Sequence, residues 1–190
     1  MSPIIIVTLA FLCQKGIYGK TLNTVIGPYI TYAERFYMCE PHNRALPVRW
    51  HLRTTHFKPL KPKELQLLTG NLTMTELFDD SFQVKMVLDV RSNNQWKENA
   101  FVVPFLRNGC STTRDNVPNF FKAFSSKRET KGACVYKPGV YEFNDTPVEW
   151  TFPNVAVMPY GHYRARINVT RLEKLYACLV ADARIIPKLE

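Results

Sequence analysis

Apolar and polar residues alternate along much of this chain, and that two-residue period marks strands with one buried face. Leu72 and Met74 alternate with Asn71, Thr73 and Thr75. Phe82, Val84, Met86, Leu88 and Val90 then interleave with Gln83, Lys85 and Asp89, and Asp79-Asp80-Ser81 supplies a turn before them. Phe101, Val103 and Phe105 give a third strand face, with Asn94, Gln95-Trp96 and Glu98 read as the preceding connection. Further strands are expected over Gly139 to Phe143, through Val148, Trp150 and Phe152, and through Tyr163, Ala165, Ile167 and Val169, with a last one from about Leu175 to Ile185. A tyrosine-rich lead-in comes before all of these. Prolines and histidines interrupt the stretch from Pro41 to Pro62, which suits extended or edge segments rather than helix. Many short strands separated by turns predict an all-β fold, a two-sheet antiparallel sandwich or cup.

One segment departs from alternation. Between Cys110 and Cys134, Asp115 or Asn116 can cap a short helix, Pro118 fits its first turn, and Phe120, Phe121 and Phe124 share one side.

At the N-terminus, Ile4 to Leu12 is an apolar run of signal-peptide length, followed by Gly16 and Gly19. It is too short to span a bilayer. Residues 1–19 are therefore expected to be a cleaved signal peptide, with residues 20–190 forming one domain that is secreted and extracellular. No later segment has the length and apolarity of a membrane span, and Ile185 to Glu190 lacks the hydrophobic tail of a lipid-anchor signal. Removing Lys15 with the leader leaves 24 basic and 16 acidic residues, a formal charge of +8. The basic residues are scattered rather than gathered in one run, which argues against nucleic acid as a partner. An acidic membrane surface suits a basic secreted protein better, with Arg164, Arg166 and Arg171 on the polar face of their strand as candidates.

Cys13 falls in the leader, which leaves Cys39, Cys110, Cys134 and Cys178, an even number in an oxidising compartment. Two disulfides follow, in any of three connectivities. Two N-glycosylation sequons, Asn71-Leu-Thr73 and Asn168-Val-Thr170, place asparagine on the polar faces deduced from alternation. Asn144-Asp-Thr146 is a third match, disfavoured by Pro147 directly after it.

Enzyme signatures are absent: there is no G-x-S-x-G, no H-E-x-x-H, no phosphate loop and no dinucleotide fingerprint. His51 and His56 sit an odd five residues apart, on opposite faces of any strand, and no C-x-x-C occurs. These patterns predict no metal site, no cofactor and no enzyme. Aromatic residues make up 13% of the chain, and Met74 and Met86 lie on inward faces. Such side chains line apolar pockets, and equally well fill a core.

The four-cysteine layout resembles a known group when read with Gly70-Asn-Leu-Thr-Met-Thr-Glu-Leu, Gln95-Trp-Lys-Glu-Asn, Cys134-Val-Tyr-Lys-Pro-Gly-Val-Tyr and Val157-Met-Pro-Tyr-Gly-His-Tyr-Arg-Ala-Arg. Over roughly residues 30 to 188 it is similar to insect secreted proteins of the MD-2-related lipid-recognition, ganglioside-activator-like superfamily, which includes chemosensory members. The resemblance implies a cup whose sheets part to admit an acyl chain, without catalysis. It also implies bridges Cys39–Cys178 and Cys110–Cys134. Combined with inward alternation, it places an apolar ligand near Met74, Met86, Phe101, Phe105, Trp150 and Phe152, with Phe121 and Phe124 at the mouth. The expected function is a secreted carrier or presenter of a lipid or pheromone-like molecule. The alternative is a protein-binding module, a co-receptor or immune ligand, with a filled core. A membrane receptor is a further expected partner.

Overall fold

The computed structural model describes residues 25–39, 46–125 and 133–188. The expected leader and Cys13 lie outside these residues. Among the described residues, twelve strands and two helices follow in chain order. They are β1 (Ile26–Gly27), β2 (Tyr29–Met38), β3 (Val48–Thr54), β4 (Gln66–Met74), β5 (Phe78–Asp79), β6 (Gln83–Ser92), β7 (Gln95–Phe105), α1 (Gly109–Asn116), α2 (Pro118–Ser125), β8 (Val135–Tyr136), β9 (Gly139–Val148), β10 (Met158–Pro159), β11 (Gly161–Arg171) and β12 (Lys174–Pro187).

The main sheet has five strands in the order β2-β12-β11-β6-β7, and a second has three in the order β3-β4-β9. β1 with β10 and β5 with β8 form two-stranded pairs, and every pairing in the molecule's described part is antiparallel. The expected all-β, antiparallel two-sheet architecture is thus present. The lead-in proves to be a ten-residue edge strand, β2, and the proline-bounded stretch yields β3.

Three local differences from the sequence reading have physical causes. Asn93 and Asn94 both take left-handed φ (51° and 61°), the geometry of a tight hairpin turn whose twist matches the flanking strands. Gln95 to Glu98 are consequently strand rather than connection. Asn99 (φ 54°) is a bulge, and its N–H donates to Asp89 Oδ1 at 2.9 Å. Trp150 and Phe152 do not continue β9, since the strand ends at Val148 and both residues lie in the segment leading to β10.

The helical region is two segments, not one. Val117 sits between them at φ −131°, ψ 58°, because a residue preceding proline is pushed out of the helical region. α1 was not legible, since Gly-Cys-Ser-Thr-Thr-Arg-Asp-Asn has no apolar face. Its first turn is held instead by a distant carboxylate, with Ser111 N–H and Ser111 Oγ each donating to Asp80 at 2.7 Å.

Both disulfides pair as the resemblance implied. Cys39 joins Cys178 with Cα atoms 5.9 Å apart, tying the end of β2 to β12. Cys110 joins Cys134 at 5.7 Å, tying α1 to the segment before β8.

The sheets meet along β2 and β3. Ala33 lies beside a bulge in β2, and the Gln66 side chain, 5% exposed, holds it by both backbone groups. From there β2 and β3 run on toward Phe36–Met38 and Trp50–Leu52, where an open cleft separates them.

Candidate functional site: the gap between the sheets

Alternation on β11 sends Arg164, Arg166 and Asn168 outward and Tyr163, Ala165, Ile167 and Val169 inward. The same phase holds across the sheet. One inward row runs through all five strands by register: Met38 opposite Leu179, Leu179 opposite Ile167, Ile167 opposite Met86, and Met86 opposite Val103. All five are apolar, all face the small sheet's side, and all are only half-buried. The adjacent row carries Ala181 and Ala165 as cross-strand partners, and Ala177 stands opposite Val169. Small side chains there leave the neighbouring row without bulk to cover it.

The filled parts of the interior lie to either side. One core cluster joins the small sheet to the helical region through Trp50, Leu68, Leu72, Met74, Phe78, Phe82, Phe121, Tyr136, Phe143 and Tyr176 among others. A second, smaller cluster contains Tyr29, Leu88, Tyr163 and Ile185. Leu179 and Met38 pack on the first cluster and Met86 on the second, so the central row bridges the two.

The row opens to solvent at β2. A cleft of about 500 Å³ lies between the edges of the sheets, lined by Phe36, Tyr37, Met38, Trp50, His51, Leu52, Arg53 and Gly70. That volume is within the range of small-molecule sites. Met38 belongs to both the cleft wall and the row, so the two meet at this side chain. Gly70 permits the close approach of β4 to β3: its φ is +130°, and a Cβ there would meet the His51 carbonyl oxygen at 1.8 Å. Trp50 is 5% exposed, and its indole N–H has no acceptor among the described residues; the same is true of Trp150. Trp150 lies with its ring 5.5 Å from Phe36 and 5.8 Å from Phe120, filling space between β2 and α2. A second open cleft, about 490 Å³ beside α2 and β9, is lined by Asn119, Lys122, Glu142, Asn144 and Glu149 among others. Its polar walls suit an apolar ligand poorly.

The expected ligand set is only partly gathered. Met74 and Phe121 are packed inside the first cluster, with the Phe121 ring edge-on to Tyr136 at 4.8 Å, so Phe121 seals the core and does not form a mouth. Phe124 sits in α2, its side chain outside the described residues. Met86 lies in the central row, and Phe152 packs on the second cluster while its carbonyl accepts from Tyr29 Oη at 3.3 Å. Phe105 is half-buried two residues along β7 from Val103. Phe101 is 42% exposed on the same edge strand, 6.4 Å from the Tyr163 ring. Sequence reasoning missed Met38, Trp50, Ile167 and Leu179 as site residues. The alanines at 177, 181 and 183, one strand face with little bulk, were the available signal.

On the outer face, the arginines expected to meet acidic membranes are engaged within the protein. Arg164 donates to both Asp182 oxygens (2.9 and 3.4 Å) and lies 4.2 Å above the Trp96 ring, while Arg166 donates to Asp89 at 2.7 Å. Arg171 is not on that face: two residues on from inward-facing Val169, it lies at the strand end with its guanidinium 4.8 Å from the centroid of the buried Phe82 ring and 3.7 Å from Glu76. Tyr37 Oη also donates to Asp182 at 2.9 Å; burial and that carboxylate push its phenol up to about 12. Asn71 is exposed and Asn168 half-buried on this outer side of their strands, and Asn144 is exposed.

No protein-family profile matches the chain, and no curated protein sequence matches it. Among solved structures it is similar to chicken MD-1 complexed with lipid IVa, at 11% identity and a TM-score of 0.36, over 86% of this chain and 99% of that one. Among the described residues, no helix is long and apolar enough to cross a membrane.

Proposed function

We propose that this protein is a secreted carrier that holds one elongated apolar ligand, such as an acyl chain, between its two sheets. The observation that supports this reading is the row Met38–Leu179–Ile167–Met86–Val103, an apolar track across the inward sheet face that the protein's own core leaves half-covered. Burying apolar surface is the main favourable term in binding, at about 0.8 kcal/mol per CH₂ before association costs. A ligand covering this track gains on both surfaces. Two disulfides fit an oxidising, extracytoplasmic setting. In this reading the protein performs no chemistry on its cargo, and delivers it to a membrane surface or a membrane receptor, a chemosensory receptor being one example. Titration of the oxidised protein with a fluorescent fatty-acyl probe is expected to saturate at one equivalent. Ile167→Asp, with its far-ultraviolet circular dichroism retained, is expected to abolish that binding. Absence of saturable binding by the parent contradicts the reading.

A second reading, a protein-binding module, draws on β7. This edge strand exposes Phe101 at 42% and Val102 at 47%, and Leu106 just beyond it at 66%. An edge with apolar side chains on both faces is a docking template for another chain. Val102→Lys with Leu106→Lys, both out of phase with the inward face, distinguishes the two readings, since it leaves the carrier's acyl binding intact.

A further inference from the structure

Between β3 and β4 the chain makes a loop, Thr55-His-Phe-Lys-Pro-Leu-Lys-Pro-Lys-Glu-Leu65, that carries three lysines and one acid. Two turns shape it: Lys61 N–H donates to the Lys58 carbonyl at 2.9 Å, and Glu64 N–H to the Lys61 carbonyl at 3.0 Å. Pro59 and Pro62 stand second in these turns, where their fixed φ presets the bend. The root of the loop is pinned to both sheets. Thr55 N–H donates to the Leu67 carbonyl at 3.0 Å, Gln66 Nε2 to the Thr55 carbonyl at 2.7 Å, and Thr54 Oγ1 to the Ala33 carbonyl of β2 at 3.3 Å. Phe57 stacks flat on Tyr32 of β2, with ring centroids 4.1 Å apart. At the corner of this fixed loop Leu60 is 97% exposed, and Leu65 at its end is 44% exposed. The one acid, Glu64, is taken by Lys58, so Lys61 and Lys63, both exposed, form no ion pair among the described residues.

We propose that this loop docks the protein on an anionic lipid bilayer, with Leu60 entering the boundary between headgroups and acyl chains and with Lys61 and Lys63 meeting lipid phosphates or carboxylates. A single leucine exposed on a surface is ordinary. This one sits between cations that lack carboxylate partners, on a loop already ordered by prolines, ring stacking and hydrogen bonds, so contact costs little conformational entropy. An apolar tip with a cationic collar matches the layering of a bilayer surface, which buries the one and attracts the other. A soluble polyanion engages the lysines and leaves Leu60 in water. The outer sheet face offers no equivalent, since Arg164 and Arg166 are held by Asp182 and Asp89. The loop leaves β3 just after Arg53 of the cleft wall. It names the segment that meets the membrane in the carrier reading, but docking through it needs no cargo.

The test is co-sedimentation of the oxidised protein with phosphatidylcholine vesicles, with and without phosphatidylserine, alongside Leu60→Asn and the double variant Lys61→Gln with Lys63→Gln. The parent is expected to bind the phosphatidylserine vesicles and not the neutral ones. Each variant changes exposed side chains and keeps both turn prolines, and each is expected to bind on the order of tenfold more weakly. No binding by the parent, or equal binding to neutral vesicles, overturns the proposal. So does a loss in the lysine variant with none in Leu60→Asn, because charge alone then suffices and a polyanion serves as well. A second readout uses the parent alone, methyl-labelled, with anionic bicelles that contain an acyl-spin-labelled lipid. The Leu60 methyl signals are expected to broaden ahead of those of Val102 and Leu106 on the β7 side. Broadening of Val102 and Leu106 with Leu60 unaffected overturns the assignment. Failure of vesicle binding leaves the acyl-probe titration of the carrier reading untouched, and failure of that titration leaves the docking standing.

Discussion

Gln66 holds Ala33 by both ends of its peptide groups: Ala33 N–H donates to Gln66 Oε1 at 2.9 Å, and Gln66 Nε2 donates to the Ala33 carbonyl at 2.8 Å. The same amide nitrogen reaches the Thr55 carbonyl at 2.7 Å. One buried side chain from the small sheet therefore completes the backbone bonding of the large sheet's edge strand at its bulge. This fastening fixes where β2 and β3 touch, and so where the cleft beyond Phe36 begins. Gln66→Leu leaves the Ala33 N–H and the Thr55 carbonyl without these partners. At about 1 to 3 kcal/mol for each of these two unsatisfied buried groups, a loss of about 2 to 6 kcal/mol is expected in urea unfolding. A loss below about 0.5 kcal/mol contradicts the assigned role.

Gly70 is the second device at this seam. A methyl group there meets backbone rather than a yielding side chain, at a φ that side chains rarely adopt. Gly70→Ala is expected to destabilise the fold by more than about 1 kcal/mol, where the same change at an unstrained site is neutral or stabilising. Thermal unfolding of the variant checks this, and an unchanged midpoint contradicts the close approach of β4 to β3.

The fold class was legible because β6 and β11 alternate cleanly, one face packing inward and the other carrying Lys85, Asp89, Arg164 and Arg166. β2 was not, because Tyr29-Ile-Thr-Tyr-Ala-Glu-Arg-Phe-Tyr-Met carries bulky side chains on both faces and a bulge at Glu34 shifts its phase midway. The outer tyrosine, Tyr37, is recruited by Asp182 and by Arg164, whose guanidinium lies 5.4 Å from its ring centroid; these partners come from strands distant in sequence. Inward phase alone also overpopulated the site. It selects Met74 and Phe121 as readily as Ile167, and only packing tells a residue that fills the core from one that borders a gap.

The two disulfides should differ in their contribution. Cys39 and Cys178 are 139 residues apart in sequence, Cys110 and Cys134 only 24. Loop-closure entropy assigns about 5 kcal/mol to the first and about 3.5 kcal/mol to the second. Paired Cys→Ser variants, compared by urea unfolding, are expected to rank in that order, and the reverse ranking contradicts the entropic account.

Acid should weaken the fold through His162. Burial, with Arg184 close by, holds its imidazole below the ordinary 6.5, even though Glu34 Oε2 lies 3.0 Å from Nε2 and pulls the other way. Desolvation prevails because the ring is largely enclosed, edge-on to Trp96 at 5.0 Å. The unfolded chain takes up its proton near pH 6.5 and the native state only at lower pH, so the stability present above that value is lost as pH falls through it. Urea midpoints measured from pH 7.5 downward are expected to drop for the parent, with a shallower drop in His162→Gln. Equal slopes contradict the assignment to His162.

The central claim is that an acyl chain lies along the inward face of the five-stranded sheet. Intermolecular nuclear Overhauser effects between a bound acyl chain and methyl-labelled protein test it most directly. The account predicts contacts to Met38, Leu179, Ile167 and Met86 in one complex, ordered along the chain from the β2 cleft inward. Contacts confined to Val102 and Leu106 on the exposed edge, or none to Ile167 at saturation, contradict it.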